Sequence, residues 1–199
     1  MHAQALISEL FTDRLVLRGL TENDIEAYER HFIDYEVIRH LSAVISWPYP
    51  KGGIRSFICD QVLPMQGKDR WVWGLHLKET EELIGSIDLR REGSRGNRGF
   101  WLGRPFWGRG YMTEAVIRVT DFAFQDLGFD HLVFTNAVGN QRSHNIKARM
   151  GAVLMGVAPT AFVTLPTRST RSGTSPKRTG RVGVARSAKS KSSCHDSSD

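Results

Sequence analysis

Two short stretches of this 199-residue chain carry residue types able to do chemistry. The first is Phe100 to Phe124, FWLGRPFWGRGYMTEAVIRVTDFAF. It reads as a short strand, a tight loop bearing Gly103, Gly108 and Gly110, and then a long helix. Ala115, Val119, Phe122 and Ala123 recur at helical spacing, and Val116, Ile117 and Phe124 widen the apolar stripe. Thr113 and Glu114 place a hydroxyl and a carboxylate in the first turn, where the helix dipole favours negative charge. Glycine lets backbone N–H groups approach a ligand closely, and a helix start leaves several of them unpaired. The loop therefore suits a phosphate or pyrophosphate, although a glycine-bearing turn is as often only a turn. The second stretch is Asn140 to Ala152, NQRSHNIKARMGA. By residue type it is a polar loop, a serine able to cap, a short helix and a closing glycine.

The elements that must hold these stretches can be read in order. Arg14 to Leu20 alternates apolar and polar residues and predicts a first strand. Thr21 to Asp24 predicts a capped helix start, followed by a helix through Ile25, Tyr28 and Phe32 and a further turn over Glu36 to Leu41. Trp47-Pro48-Tyr49-Pro50 interrupts the pattern and leaves its aromatics exposed or half-buried. Helical spacing returns over Gly53 to Val62, with Ile54, Phe57, Ile58 and Val62 on one face and Pro64 at or beyond its end. Trp71 to Leu77 and Leu83 to Leu89 predict a hairpin through a polar turn at Glu79 to Glu82. In the second of these strands Leu83, Gly85, Ile87 and Leu89 share one face, and Ile84, Ser86 and Asp88 the other. Gly99 to Leu102 is the fourth strand, and Gly128 stops the long helix. Leu132 to Val138 is the fifth strand, expected parallel to the fourth because a helix crosses between them.

Composition sets the class. The hydrophobic fraction of 40% and 10% aromatics suffice for a buried core. No run approaches the roughly 18 apolar residues needed to span a bilayer, and the start MHAQALISELF has no signal-peptide pattern. Cys59 and Cys194 show no metal-ligand spacing, so neither a metal site nor a disulfide framework is expected, and a cytoplasmic setting is the default. The formal charge of +6 is localised: Arg168 onward holds eight basic and two acidic residues, while the first 167 residues are balanced. An argument for nucleic-acid binding from charge thus concerns only the tail.

The two stretches together resemble the GNAT N-acetyltransferases, especially the ribosomal-protein-alanine N-acetyltransferase (RimJ/RimL-like) branch. PFWGRGYMTEA resembles the family's acetyl-CoA pyrophosphate loop. Trp107 takes the Gln/Arg place, Gly108 and Arg109 follow, Gly110 is the central glycine, Tyr111 is variable, and Met112 takes the Gly/Ala place. Trp107 and Met112 depart from the pattern, but backbone groups do the binding, so the departures need not abolish it. Asn140, Ser143, Arg149, Met150, Gly151 and Ala152 match the second family motif. The motifs stand in the family's order, about thirty residues apart, and the likeness spans roughly residues 10 to 160. It implies an α/β (α+β) acyl-CoA N-acyltransferase fold: a mixed, mostly antiparallel sheet with one parallel strand pair, flanked by helices. It also implies acetyl-CoA as co-substrate, bound by Phe100, Trp101 and Leu102 of the fourth strand, by Trp107 to Thr113, and by Asn140 and Ser143.

The implied reaction is direct transfer of an acetyl group to an amine. The acceptor must lose a proton, the oxyanion needs a hydrogen-bond donor such as a fourth-strand N–H, and the leaving thiolate needs a proton. Many relatives place a tyrosine acid seven residues after the asparagine; here that residue is Lys147, so Ser143 or water must serve. Asp88 and Glu114 are the acids nearest the expected centre. Asp88 is the candidate base, and Glu114 is better suited to orienting the loop. His131 and His144 read as surface residues, and His76 can face either way. The acceptor class is a protein N-terminal α-amine or a small-molecule amine, and the chain is expected to be a monomer or homodimer.

The ending departs from the family. Residues 1–165 form the expected acetyltransferase domain. Ala152 to Leu165 predicts one weak strand or a hairpin, and 166–199 a disordered basic tail rich in Ser, Arg and Lys. The family's last strands are therefore expected to be missing or altered, as if translated out of frame. Two other readings follow: a non-catalytic or truncated CoA-binding relative, or a module touching ribosome or nucleic acid weakly through the tail.

Overall fold

A computed structural model describes residues 7–41, 45–91, 96–137, 139–161 and 179–188, the last ten and residues 158–161 by backbone alone. The chain opens with β1 (Leu10–Phe11) and β2 (Leu15–Gly19). Thr21 and Asp24 then form the expected capping box: the Thr21 hydroxyl accepts from Asn23 N–H at 3.2 Å, and the Asp24 carboxylate accepts from Thr21 N–H at 2.8 Å. This starts α1 (Ile25–Phe32), which is followed by α2 (Tyr35–Ile38). Next, α3 (Gly53–Ser56) widens into a π-helical turn over Phe57–Val62 and a 3-10 turn over Leu63–Met65 that contains Pro64. Ile54, Ile58 and Val62 are fully buried, as their spacing predicts, and Phe57 is half-buried.

The hairpin is β3 (Arg70–Leu77) and β4 (Leu83–Arg90), and β5 (Arg98–Leu102) runs antiparallel to β4. Then come α4 (Tyr111–Gln125), β6 (His131–Ala137), α5 (Gln141–Arg149), β7 (Val153–Ala161) and β8 (Thr179–Ala188). Gly128, at φ 70°, ends α4 as expected, with Phe129 N–H reaching back to Ala123 carbonyl at 2.9 Å.

The strands form two sheets, β1-β2-β3-β4-β5 and β6-β8-β7. One core lies under α4 and contains Trp71, Trp73, Leu75, Ile87, Leu89, Val116 and Val119. The other lies under α1 and α3 and contains Leu20, Tyr28, Ile58, Val72, Leu83 and Trp101. Leu83 therefore parts from Ile87 and Leu89, contrary to simple alternation. The cause is a bulge where the β3–β4 register shifts between Leu75 and His76, which exchanges the faces at that point.

The strand expected over Ala152 to Leu165 forms as β7. One expectation about the C-terminus is corrected: Thr179–Ala188, placed in the disordered tail, is β8, seated between β6 and β7. A central strand satisfies backbone groups on both edges, so it forms with few large apolar side chains. The rest of the tail lies outside the described residues.

Candidate active site

The site begins where β5 and β6 part. Asn97 N–H donates to Val133 carbonyl at 2.8 Å, and Val133 N–H to the Asn97 side chain at 2.9 Å. Beyond that root no ladder joins the two strands among the described residues, so the expected parallel pair is splayed open. The register of β5 fixes what it offers to the gap. Arg90 N–H donates to Asn97 carbonyl and Gly103 N–H to Ile84 carbonyl. Antiparallel alternation then commits Gly99 and Trp101 to β4 and turns the N–H and C=O groups of Phe100 and Leu102 toward the gap. The Leu102 carbonyl accepts from Trp107 Nε1 at 2.7 Å. Trp101, grouped in sequence with Phe100 and Leu102, instead buries its indole in the opposite core and donates to the Tyr28 hydroxyl at 2.7 Å.

The glycine loop sits at the mouth of the splay. Gly108 and Gly110 have φ of 78° and 84°, a region in which a side chain is strained. Gly110 is the N-cap of α4 and supplies no side chain, and the first intrahelical bond is Glu114 N–H to Gly110 carbonyl at 3.1 Å. The N–H groups of Tyr111, Met112 and Thr113 therefore have no cap, and they carry the positive end of a 15-residue helix. The loop itself is exposed, with nothing within 4 Å of a side-chain position at Gly108. Met112 points the other way, into the core, which explains how it stands where a small residue is usual.

The loop is tied down from beneath by residues about a hundred positions earlier. Arg14 Nε and backbone N–H donate to the Glu114 carboxylate at 2.9 Å each, and Thr12 Oγ1 donates to the same carboxylate. Arg14 Nη1 also donates to Arg109 carbonyl at 3.0 Å, and its guanidinium lies 4.4 Å over the Tyr111 ring. Burial alone would raise the Glu114 carboxyl, but the bonds from Thr12 and Arg14 hold it below its ordinary value. Glu114 is thus a loop orienter, and Arg14 its partner; no local sequence signal marks a pair this distant.

The second motif starts α5. Asn140 caps it, accepting from Ser143 N–H at 3.2 Å through its side chain. Ser143 is buried, and its hydroxyl accepts from Lys147 Nζ at 2.9 Å. Arg142, one residue earlier, stacks 4.5 Å over the Trp107 ring, so the two motifs touch. His131 and His144 are exposed, as expected. His76 is buried with Arg18 Nε donating to its ring at 3.1 Å; burial, and then Arg18, push its pKa below the ordinary imidazole value.

Among the described residues no hydrogen bond or ion pair joins Asp88 to the glycine loop or to Ser143. Its carboxylate accepts from Arg70 at 2.8 and 3.3 Å and lies 3.5 Å from Arg90. It stands across from Gly99, near the root of the splay, whereas Ser143 follows the open end of β6. A carboxylate already shared by two guanidinium groups serves the sheet better than it serves proton transfer.

The Acetyltransferase (GNAT) domain family matches residues 14–153. The chain belongs to the GNAT acetyltransferases. Among curated proteins it is similar to the uncharacterized N-acetyltransferase YoaA of Bacillus subtilis, 29% identical over 153 residues, covering 74% of this chain and 84% of that protein. An acetyltransferase from Agrobacterium tumefaciens shares the fold at a TM-score of 0.65 and 24% identity, over 92% and 95% of the two chains. So does RimL, the ribosomal L7/L12 α-N-protein acetyltransferase in complex with coenzyme A, at a TM-score of 0.70 and 15% identity, over 91% and 98%. Membership makes this GNAT chain an acyltransferase, and its glycine loop fits the co-substrate of the fold. The uncapped helix start and the open backbone at Gly108 are what a pyrophosphate requires. Among the described residues no helix is long and apolar enough to cross a membrane, and no cluster of side chains could hold a metal ion.

Proposed function

We propose that this chain transfers the acetyl group of acetyl-CoA directly to a primary amine, either the α-amine of a protein N-terminus or an amine of a small molecule. The observation that carries the reading is the juxtaposition at the splay. An anion-ready helix start, the backbone edge of Phe100 turned away from β4, and the Ser143 hydroxyl lie about one gap in this reading. In this reading the helix start and Arg109 hold the pyrophosphate, and Asn140 orders the turn that presents Ser143. The Phe100 N–H stabilises the developing oxyanion, and the Ser143 hydroxyl faces the leaving sulfur. The half-buried aromatics of the Trp47–Tyr49 segment line the acceptor side: Tyr49 packs edge-on against Phe32 at 5.4 Å, and Trp47 lies 5.6 Å from Tyr35. The protein-terminus option draws support from the fold shared with RimL.

Calorimetric titration with acetyl-CoA, followed by thiol release against a panel of N-terminal peptides and small amines, tests this. Binding with amine-dependent release of CoA supports the reading. A folded chain that binds acetyl-CoA but acetylates no amine would leave the non-catalytic alternative standing.

A further inference from the structure

Lys147 is a buried cation that the acetyl-transfer reading does not employ. It lies on α5 one turn after Ser143, is 7% exposed, and donates three hydrogen bonds. They go to Thr135 carbonyl at 2.9 Å, Asn136 Oδ1 at 3.2 Å and Ser143 Oγ at 2.9 Å. Its ammonium also lies 5.8 Å from the ring centre of Phe100, the β5 residue whose backbone faces the gap. All three partners are neutral.

The second buried cation of this region, Arg98, is no counter-ion either. It donates to Thr120 Oγ1 at 2.8 Å, and its guanidinium lies 4.1 Å over Phe134 and 6.0 Å from Phe100. Its Nε has no partner among the described residues. Two buried positive groups thus flank the gap between β5 and β6 with no carboxylate bonded to either among the described residues. Uncompensated charge of this kind is costly unless something anionic arrives. In acetyl transfer the anion that arises in the gap is the thiolate released from the acetyl group.

The hydrogen-bond directions specify how that anion is met. An ammonium has no acceptor, so Ser143 Oγ accepts from Lys147. Ser143 N–H is bound by Asn140 Oδ1. The hydroxyl proton of Ser143 is therefore left free to donate elsewhere.

We propose that Lys147 acts through Ser143 as the proton supply for the departing CoA thiolate. This rests on the acetyl-transfer reading above. The acceptor nitrogen forms its bond to the acetyl carbon, the C–S bond breaks, and the electron pair goes to sulfur. Sulfur takes the Ser143 hydroxyl proton, and Ser143 takes one from the Lys147 ammonium, which is left as a neutral amine and is reprotonated by water. The acceptor ammonium gives up two protons to solvent, one before attack and one from the nitrogen once it is bonded to the acetyl carbon; one is returned to Lys147, so the net reaction releases a single proton and charge balances. Ser143 is the group that touches the sulfur; Lys147 orients its hydroxyl and resupplies it.

The electrostatics agree. Burial, and then Arg98, push Lys147 from 10.5 down to about 7, so its ammonium can release a proton near neutrality. The groups facing it are Arg98 from β5, the neutral Thr135 and Asn136 from β6, Thr120 of α4 beyond Arg98, and on its own helix Ser143 with the exposed Arg142 and His144. As pH rises through the Lys147 value the ammonium is lost, and turnover should fall.

The experiment uses the full chain, acetyl-CoA and an amine acceptor from the panel. Lys147→Met should lower kcat about 100-fold, in the range of general acid catalysis, with KM for acetyl-CoA little changed and the alkaline fall of the rate removed. Ser143→Ala combined with Lys147→Met should be no slower than the worse single variant, as for groups acting as a unit. A second measurement needs only the wild type. The thiol of bound CoA, followed by thiolate absorbance, should titrate below the free thiol, and Lys147→Met should abolish that shift. Normal turnover of Lys147→Met with an unchanged pH profile would overturn the proposal, as would an unshifted CoA thiol in the wild type. Absence of acetyl-CoA binding by the wild type would strike instead at the acetyl-transfer reading itself.

Discussion

The two helix starts at the splay work by different physics. At α4 the backbone is the proposed binding group: an uncapped first turn and two glycines at positive φ present N–H groups, and side chains serve from behind. At α5 the first turn is closed by its own Asn140, and in the proposed reaction the side chains of Ser143 and Lys147 carry the chemistry. The first kind of site tolerates changes of side chain and fails when its backbone is blocked. The second keeps its backbone and fails when one polar atom is removed. This explains why Trp107 and Met112 can depart from the family pattern: one packs under Arg142 and the other in the core, and neither interrupts the N–H array.

Substitutions can break that contrast. The largest effect is expected for Gly110→Glu, which puts strain at φ 84°, a side chain against Arg14, and a negative charge at the anion site. Acetyl-CoA binding should become undetectable by calorimetry while the far-UV spectrum stays native. Next is Glu114→Gln, which weakens the Arg14 and Thr12 bonds that hold the loop from behind. Hydrogen bonds to charged groups are worth about 1.5–3 kcal/mol, so KM for acetyl-CoA should rise about tenfold with kcat nearly kept. Its pH signature follows from the sign of the shift. Glu114 is held below its ordinary value, so its contribution to stability is present above the ordinary carboxylate range and is lost as pH falls through the lowered value. Thermal melts should therefore lose more stability on acidification in the wild type than in Glu114→Gln.

Asn140→Ala should cost about 1 kcal/mol of stability, typical of a lost N-cap, and should lower kcat more than it raises KM, because it frees Ser143. The smallest effect is expected for Asp88→Asn. If its two arginine partners mark a structural carboxylate, turnover per folded molecule stays within about twofold, within the scatter typical of single-contact changes, and only the melting temperature drops. A loss of a hundredfold would instead restore Asp88 as the base.

Much of the fold was legible because its signals are local. The capping box at Thr21 and Asp24 and the α4 stop at Gly128 both formed where the sequence places them. The buried stripe of Ile54, Ile58 and Val62 did so too. Alternation failed at Leu83, where a bulge exchanges faces, since a bulge depends on the partner strand. Composition fails for β8: a polar, glycine-bearing segment has the composition of a tail, yet pairing on both edges makes it a central strand. The candidate site divides in the same way. Gly108, Gly110, Asn140 and Ser143 are visible as types at fixed spacing, whereas Arg14 enters only through contacts across about a hundred residues.

The sequence by itself determined the helix start with its exposed N–H groups and the capped turn that carries Ser143, because both arise from a few neighbouring residues acting on their own backbone. Tertiary structure decided which β5 residues face the gap, which core takes Trp101, and what surrounds Lys147. Register assigns each strand atom to one edge or one face, and register is set by partners distant in the chain. The Lys147 ammonium is pushed toward neutrality only because the fold removes water around it and places Arg98 nearby.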